Sequence, residues 1–386
     1  MVFLIILWLI FFILSFGVVG FIYISMRRAA LRPWRIRIDE SYKPKVSILV
    51  PTYNEVAGIR FKLENLNKLE YPDGLKQIII VDSNSNDRTI DVVSDFIRQH
   101  PNVNIQVLVE RERRGKSVAL NFALKHCKGD VVIVSDADCF WPADILHKAL
   151  PFLADPNVGA ISGPKILLNP QQSWVTKTED VYLKSMNLLK LGESKLSSTL
   201  LFEGGFSAYK KEVLESFDPY NTGSDDCGTI IRVTEKGSRS LFVPEAAFFT
   251  AFPVTWKGKI SIKIRRASQL VRVFTNYAYL LIRKRIKSAK RVVIQDVFLY
   301  LVSPIFFVLL LVTIISLLLK FPYFAVFSLI FLIPKIGFKL FEIVQNYLLL
   351  FVGICLLAVN KKFVFWGKPV DRALLTEDML RQFMLI

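Results

Sequence analysis

Two aspartates, Asp136 and Asp138, close the apolar run Val131-Val132-Ile133-Val134-Ser135. Side chains two apart on an extended strand point the same way, so both carboxylates enter one small volume. Like charges placed so need a proton or a cation. Hard oxygen donors suit Mg2+ or Mn2+, ions that usually carry phosphate as well. Ligands of open α/β sheets bind at the carboxyl ends of strands, so the pair reads as a divalent metal site for a diphosphate. Asp-x-Asp also occurs in solvated turns, and the rest of the chain has to decide.

Other residues suited to this chemistry stand at comparable places. Pro51, Thr52, Tyr53, Asn54 and Glu55 follow the strand-like run Val46–Val50. An aromatic in a polar turn could hold a nucleoside base there, although Thr52 or Asn54 could equally cap a helix. Asp82 to Asp87 ends a second run, Gln77–Val81, with carboxylates and hydroxyls fit to grip base or ribose, or simply to turn the chain. Arg114-Gly115-Lys116-Ser117 is half of a phosphate loop, but Glu110 stands where its first Gly is required. Lys116, at a helix start, remains a candidate phosphate contact. Glu203, Gly204 and Gly205 open a turn where a ligand could approach backbone amides, or a bare turn.

Asp225 and Asp226 precede a helix-length segment, Cys227–Lys236, that Gly237 would end. They either stabilise its N-terminus or supply the general base that a sugar hydroxyl needs. Gln269 and Arg272 lie in a basic amphipathic stretch. Arg272 could stabilise a departing diphosphate or face lipid headgroups.

The elements that must position these residues alternate. Strand-like runs at 46–50, 77–81, 103–109 and 131–135 interleave with helix-like segments at 55–69, 89–100 and 116–127. Such alternation predicts an α/β domain over 45–256, a mostly parallel sheet covered by helices.

Around this domain the chain turns apolar. Of 386 residues 52% are hydrophobic, and the mean hydropathy of +0.39 is too high for one soluble domain. Residues 2–26 carry no charge, enough for one membrane helix of about 20 residues. Arg27, Arg28, Arg32, Arg35 and Arg37 follow in a basic linker, 27–44, which puts residue 27 onward in the cytoplasm. Residues 297–319 are long enough to span, 321–334 are too short, and 343–360 are marginal, with Lys361, Lys362, Lys368 and Arg372 after them. A basic tail at 361–386 on the inner side requires an even number of spans within 292–360. That makes two the expected count, with three as the alternative.

The net charge is +17, concentrated at membrane-proximal places. Residues 257–291 hold 12 Lys/Arg and no acid, interleaved with apolar residues as in helices that lie in a membrane interface. The pattern fits anionic lipid headgroups and not nucleic acid. Four scattered cysteines (127, 139, 227, 355) and three histidines form no zinc or disulfide pattern.

Taken in order, these motifs resemble the membrane-anchored branch of the family 2 glycosyltransferases, which includes cellulose, chitin and hyaluronan synthases. The resemblance covers about residues 45–275. It implies a GT-A (Rossmann-like) nucleotide-sugar domain with transmembrane and interfacial helices at both ends. Pro51 to Glu55, Asp82 and Lys116 match the family's nucleotide-binding elements, and Asp136-Ala137-Asp138 its Asp-x-Asp motif, whose last Asp ligates the metal. Glu203 to Ser207 looks like its acceptor-side glycine turn, with Gly204 and Gly205. Asp226 is similar to its catalytic Asp; the Thr-Glu-Asp motif reads Ser224-Asp225-Asp226 and keeps both acids. Gln269 to Arg272 looks like Gln-x-x-Arg-Trp, but the Trp is Val273. Because that Trp belongs to polymerising members, the resemblance implies single additions, with processive synthesis as an alternative. Its implied activity is inverting, Mg2+- or Mn2+-dependent transfer from an NDP-sugar, with UDP-sugar as the expected donor. The acceptor would be a hydroxyl of a lipid-linked or saccharide molecule, a polyprenyl phosphate being the other alternative.

Overall fold

A computed structural model describes residues 2–322, 334–361 and 375–386. Lys362, Lys368, Arg372 and most of the run 321–334 lie outside them. Helix α1 (Val2–Ala30) leads into the α/β domain, whose first strand is β1 (Val46–Thr52). Helix α2 (Ile59–Asn67), β2 (Lys76–Asp82), α3 (Thr89–Gln99), β3 (Ile105–Val109), α4 (Lys116–Leu124) and β4 (Val131–Val134) follow. Then come β5 (Val158–Ser162), β6 (Lys165–Leu167), the long α5 (Trp174–Leu196), β7 (Ser207–Lys210), α6 (Cys227–Lys236), β8 (Arg239–Phe242) and β9 (Phe248–Thr250). The chain closes with α7 (Trp256–Ile282), α8 (Lys290–Lys320), α9 (Pro334–Ala358) and α10 (Glu377–Gln382).

Seven strands form one sheet in the order β3-β2-β1-β4-β7-β5-β8. Only β7 runs antiparallel to its neighbours. The central strands β1, β2 and β4 are buried runs of Val and Ile, as both faces are covered by helices. Strand β1 runs through Pro51 instead of ending before it. Pairing with β4 stops at Leu49, so the N–H that Pro51 lacks has no ladder position to fill. The helix anticipated from residue 55 starts at 59. Asn54 has φ +54°, and Glu55 N–H donates to Thr89 Oγ1 at 2.8 Å, which ties residues 53–58 into a turn.

Among the described residues three helices are long and apolar enough to cross a membrane: α1, α8 and Leu340–Ala358 of α9. Helix α1 continues four residues beyond Met26, so Arg27 and Arg28 form its last turn. It lies against α5 at Gly192, where a Cβ would come 2.2 Å from the Met26 carbonyl. Helix α9 lies along α7, with Gly353 facing the Ala267 carbonyl.

The basic stretch 257–291 is not simply an interfacial face. Lys259 is fully buried, its Nζ 2.5 Å from Glu342 and 3.6 Å from Glu179. Lys263 Nζ lies 3.1 Å from each of the same acids. A buried ammonium requires a partner, so these two lysines join α7 to α5 and α9 instead of facing lipid.

Candidate active site

The strand ends bring the acids together. Asp136 and Asp138 leave β4, and one oxygen of each lies with the Cys139 sulfur inside a 4.8 Å group. Two carboxylates so close fit one hard divalent cation. The Asp136 N–H donates to the Gly204 carbonyl at 3.2 Å. A Cβ on Gly204 would stand 2.9 Å from Lys116 Nζ and 3.0 Å from Asp136 Oδ2, so glycine keeps this space open. Gly205 differs from the ligand-side role expected of it. A Cβ there would meet the Phe248 ring at 2.1 Å, and its carbonyl accepts from the Trp141 indole at 2.7 Å. Its smallness serves packing.

Lys116 opens α4 after Gly115, whose φ of +110° only glycine adopts without strain. Its Nζ bridges Asp136 (2.6 Å) and Asp225 (2.7 Å). Burial works against the charge on Lys116, but the two carboxylates outweigh it and hold its pKa above the usual lysine range. Asp225 is pushed up to about 6, first by burial, then by Asp226 and Asp136, against the opposing pull of Lys116.

Asp226 is the N-cap of α6, which ends at Gly237 with φ +96°. Its Oδ1 accepts from Cys227 N–H at 2.6 Å and from the Ser224 hydroxyl. Among the described residues no donor reaches Oδ2, so that oxygen can take a substrate proton. The preceding turn is built on Asp218, whose carboxylate accepts from Thr222 N–H (2.8 Å) and Gly223 N–H (2.7 Å). Gln269 donates to the Gly223 carbonyl, clamping this turn to α7.

At the other strand ends, Thr52 donates to Asp82 at 3.0 Å, and Asp82 accepts from Ser85 N–H at 2.8 Å. These contacts fasten the loop that holds Tyr53 and Glu55 to the loop that follows β2. The Arg113 guanidinium lies 3.9 Å over the Tyr53 ring, on one of the two faces a base could use.

A cavity of about 1120 Å³ opens beside the acids. Asp136, Lys116, Glu203, Asp225, Asp226 and Gln269 line one end. From there it follows α5 from Lys190 to Trp174, 16 residues or about 24 Å of helix. Apolar side chains of α1, α8 and α9 line the far wall, among them Phe16, Tyr23, Leu299 and Tyr347.

Arg272 is not on this wall. It donates to the Lys361 carbonyl at 2.8 Å, and this ties α7 to the end of α9. Arg265 and Arg266, about two turns earlier, line the cavity in its place. Val273 is buried in the core beside Tyr277 and Phe274 and also lies off the wall. Glu203 is held by Lys190 (2.7 Å), Lys165 (3.8 Å) and Arg266 (3.9 Å). Burial raises its pKa, but these cations win and keep it well below the usual carboxylate range.

Sequence reasoning passed over Arg266, although Ile262, Arg266, Gln269 and Leu270 share one face at helical spacing. It also passed over Lys62. That buried lysine donates to Ser135 Oγ and the Cys139 carbonyl, both at 2.7 Å, behind the Asp136–Asp138 turn. Burial pushes it down to about 7, against the nearby Cys139, Asp136 and Asp138. A lone lysine in an amphipathic helix reads as solvated, so no local signal marks it.

A mostly parallel sheet, met by one antiparallel strand beside an Asp-x-Asp turn, is the GT-A arrangement, and the domain has that fold. Residues 44–268 match the family described as glycosyltransferase like family 2, to which the chain belongs. It is 28% identical over 229 residues to the probable glycosyltransferase YdaM of Bacillus subtilis (strain 168), covering 58% of this chain and 54% of that one. It is 30% identical over 198 residues to the beta-monoglucosyldiacylglycerol synthase of Synechocystis sp. (strain ATCC 27184 / PCC 6803 / Kazusa), covering 49% and 40%. The chain thus spans about half the length of these curated relatives. Among solved structures it is similar to the mannosyltransferase PcManGT from Pyrobaculum calidifontis in complex with GDP-Man and Mn2+. The TM-score there is 0.79 at 28% identity, over 93% of this chain and 100% of the other.

Proposed function

We propose that this protein is an inverting, metal-dependent hexosyltransferase that moves a sugar from an NDP-sugar to a hydroxyl of a membrane-associated or lipid-linked acceptor. The observation that carries this reading is one continuous cavity that runs from Asp136, Asp225 and Asp226 to a wall of long apolar helices. The nucleotide lies on Pro51, Thr52, Tyr53, Glu55 and Asp82. Asp136 and Asp138 would hold a divalent ion, Mg2+ or Mn2+, that neutralises the diphosphate. Lys116, already on Asp136, adds a second positive charge at the phosphates.

Asp226 Oδ2 takes the proton of the acceptor hydroxyl as its oxygen attacks the anomeric carbon from the face opposite the diphosphate. The bond from that carbon to the diphosphate oxygen breaks, and the nucleoside diphosphate leaves with the electron pair. One displacement inverts the anomeric centre. Asp225 and Gln269 act by position, holding Lys116 and the Gly223 turn.

The charges in the cavity favour a hydroxyl over a phosphate acceptor. Lys116, Lys190, Lys263 and Arg266 each already stand beside a carboxylate. A phosphoryl head would have to break those pairs, whereas a polyol can bond to both signs. Single addition rests on Val273 standing where polymerising members carry Trp, although the side chain itself lies off the cavity wall.

The site works at the cytoplasmic face of the cell membrane. Residues 1–26 anchor the chain, 27–44 link it to the 45–256 domain, and two further spans lie within 292–360. The fold brings the basic ends of α1 and α8 together, with Arg291 Nη2 3.5 Å from Ser25 Oγ. Exposed Arg27, Arg28, Arg32 and Lys290 there face anionic lipid headgroups, each contributing about 1 kcal/mol near such a surface.

The test is nucleotide release by the purified protein in native lipid extract, with UDP- and GDP-sugars, Mn2+, Mg2+ or EDTA. The lipid fraction is analysed by mass spectrometry. Metal-dependent release with one hexose mass added to a lipid is expected. A ladder of masses would make it a polymerase, and no donor turnover or binding would overturn the reading.

A further inference from the structure

Behind the Asp136–Asp138 turn lies a contact between parts of the chain far apart in sequence. Phe140, two residues after Asp138, is fully buried in a cluster with Leu168, Leu380 and Leu385. Phe249 pairs with Phe140 through two backbone hydrogen bonds of 2.8 Å, and its ring lies 5.3 Å from that of Phe383. Asn65 of α2, 1% exposed, makes the junction specific. Its Oδ1 accepts from Trp141 N–H at 2.9 Å. Its Nδ2 donates to the Trp141 carbonyl at 2.7 Å and to the Leu385 carbonyl at 2.8 Å. Lys62, one turn earlier on α2, holds the start of the same segment at Ser135 and Cys139.

We propose that residues 375–386 are a strap that positions the Asp136–Asp138 turn. The turn is then set on its outer side by a segment that follows membrane helix α9, not by the sheet alone. A buried amide whose donors and acceptor are all used fixes direction as well as distance. The Leu380–Leu385 cluster supplies the non-directional part of the contact. Leu380, Leu385 and Asn65 are positioning residues: among the described residues they act on the acids through Phe140 and the Trp141 backbone. Outer-shell partners of metal ligands typically change metal affinity by about 10–100-fold. That scale applies here on the reading that Asp136 and Asp138 hold the ion.

The test uses full-length protein in detergent or nanodiscs, as wild type, L380A/L385A and N65A. V93A, a truncation in the main core far from the strap in sequence, controls for lost stability. Two quantities are read: hydrogen exchange of the amides of residues 139–141, and Mn2+ titration followed by electron paramagnetic resonance. Both strap variants should speed that exchange and raise the Mn2+ concentration for half-occupancy by about tenfold or more. At saturating metal and donor, kcat should stay within about twofold, and V93A should lower the melting temperature without moving the Mn2+ midpoint. Unchanged exchange at 139–141 would sink the strap. So would an Mn2+ midpoint that shifts no more than in V93A. If wild-type protein takes up no Mn2+, the metal reading of Asp136 and Asp138 fails, and the exchange result alone decides the strap.

Discussion

Lys116 Nζ lies 2.7 Å from Asp225 and thereby ties the first turn of α4 to the turn that precedes α6. The same ammonium holds Asp136 at 2.6 Å, so one cation joins the Asp136–Asp138 turn to the turn that carries Asp225 and Asp226. Removing it should damage both. In K116M, donor KM should rise at least tenfold, about 1.4 kcal/mol. Asp225 should titrate higher still, because Lys116, which lowers it, is lost. Steady-state kinetics across pH would check this, and an unchanged donor KM would remove Lys116 from the site.

The raised pKa of Asp225 is also a statement about stability. A folded value of about 6, above the ordinary 3.8, means that folding disfavours the charged form. The associated stability is complete below about 4 and is lost as pH rises toward and through 6. D225N should therefore raise the melting temperature at pH 7.5 relative to wild type, and do little at pH 4. A melting temperature lowered at both pH values would contradict this.

Glu203 predicts the opposite sign. Its carboxyl is held below the ordinary range, so its contribution is present above about pH 4 and fades as pH falls further. E203Q leaves Lys190 and Lys165, both nearly buried, without their carboxylate. A loss of about 3 kcal/mol at pH 7 is expected, narrowing in acid. Thermal melts of the two proteins at pH 7 and pH 3.5 would measure it.

Asp226 is assigned the proton. D226N keeps the N-cap geometry, since an amide oxygen can still accept from Cys227 N–H. Transfer should fall by roughly 10²–10⁴-fold, while donor affinity by calorimetry stays within about twofold. Normal turnover in this variant would refute the assignment.

The two arginines on α7 should separate cleanly. R266A removes a cavity charge beside Glu203 and should raise acceptor KM by roughly tenfold, about 1.4 kcal/mol. R272A breaks the bond to the Lys361 carbonyl and should cost about 1–3 kcal/mol of stability, with donor KM unchanged. A large donor effect in R272A would restore its part in holding the diphosphate.

Much was legible in the chain itself. Buried β-branched runs mark β1, β2 and β4, and the uncharged stretches mark the membrane helices, because periodicity and length follow directly from strand, helix and bilayer geometry. Asp136, Asp138 and Asp226 are legible because strand ends and helix caps are local features. What each side chain meets across the molecule is not local. Periodicity places Lys259, Lys263, Arg266 and Arg272 on a helix, but only the packing of α5 and α9 against α7 pairs two of them with buried acids, puts Arg266 on the cavity wall and ties Arg272 to Lys361. The bridge from Lys116 to Asp225 and the seating of Leu385 on Asn65 join residues 109 and 320 positions apart. No sequence period reaches that far; tertiary packing chose those neighbours.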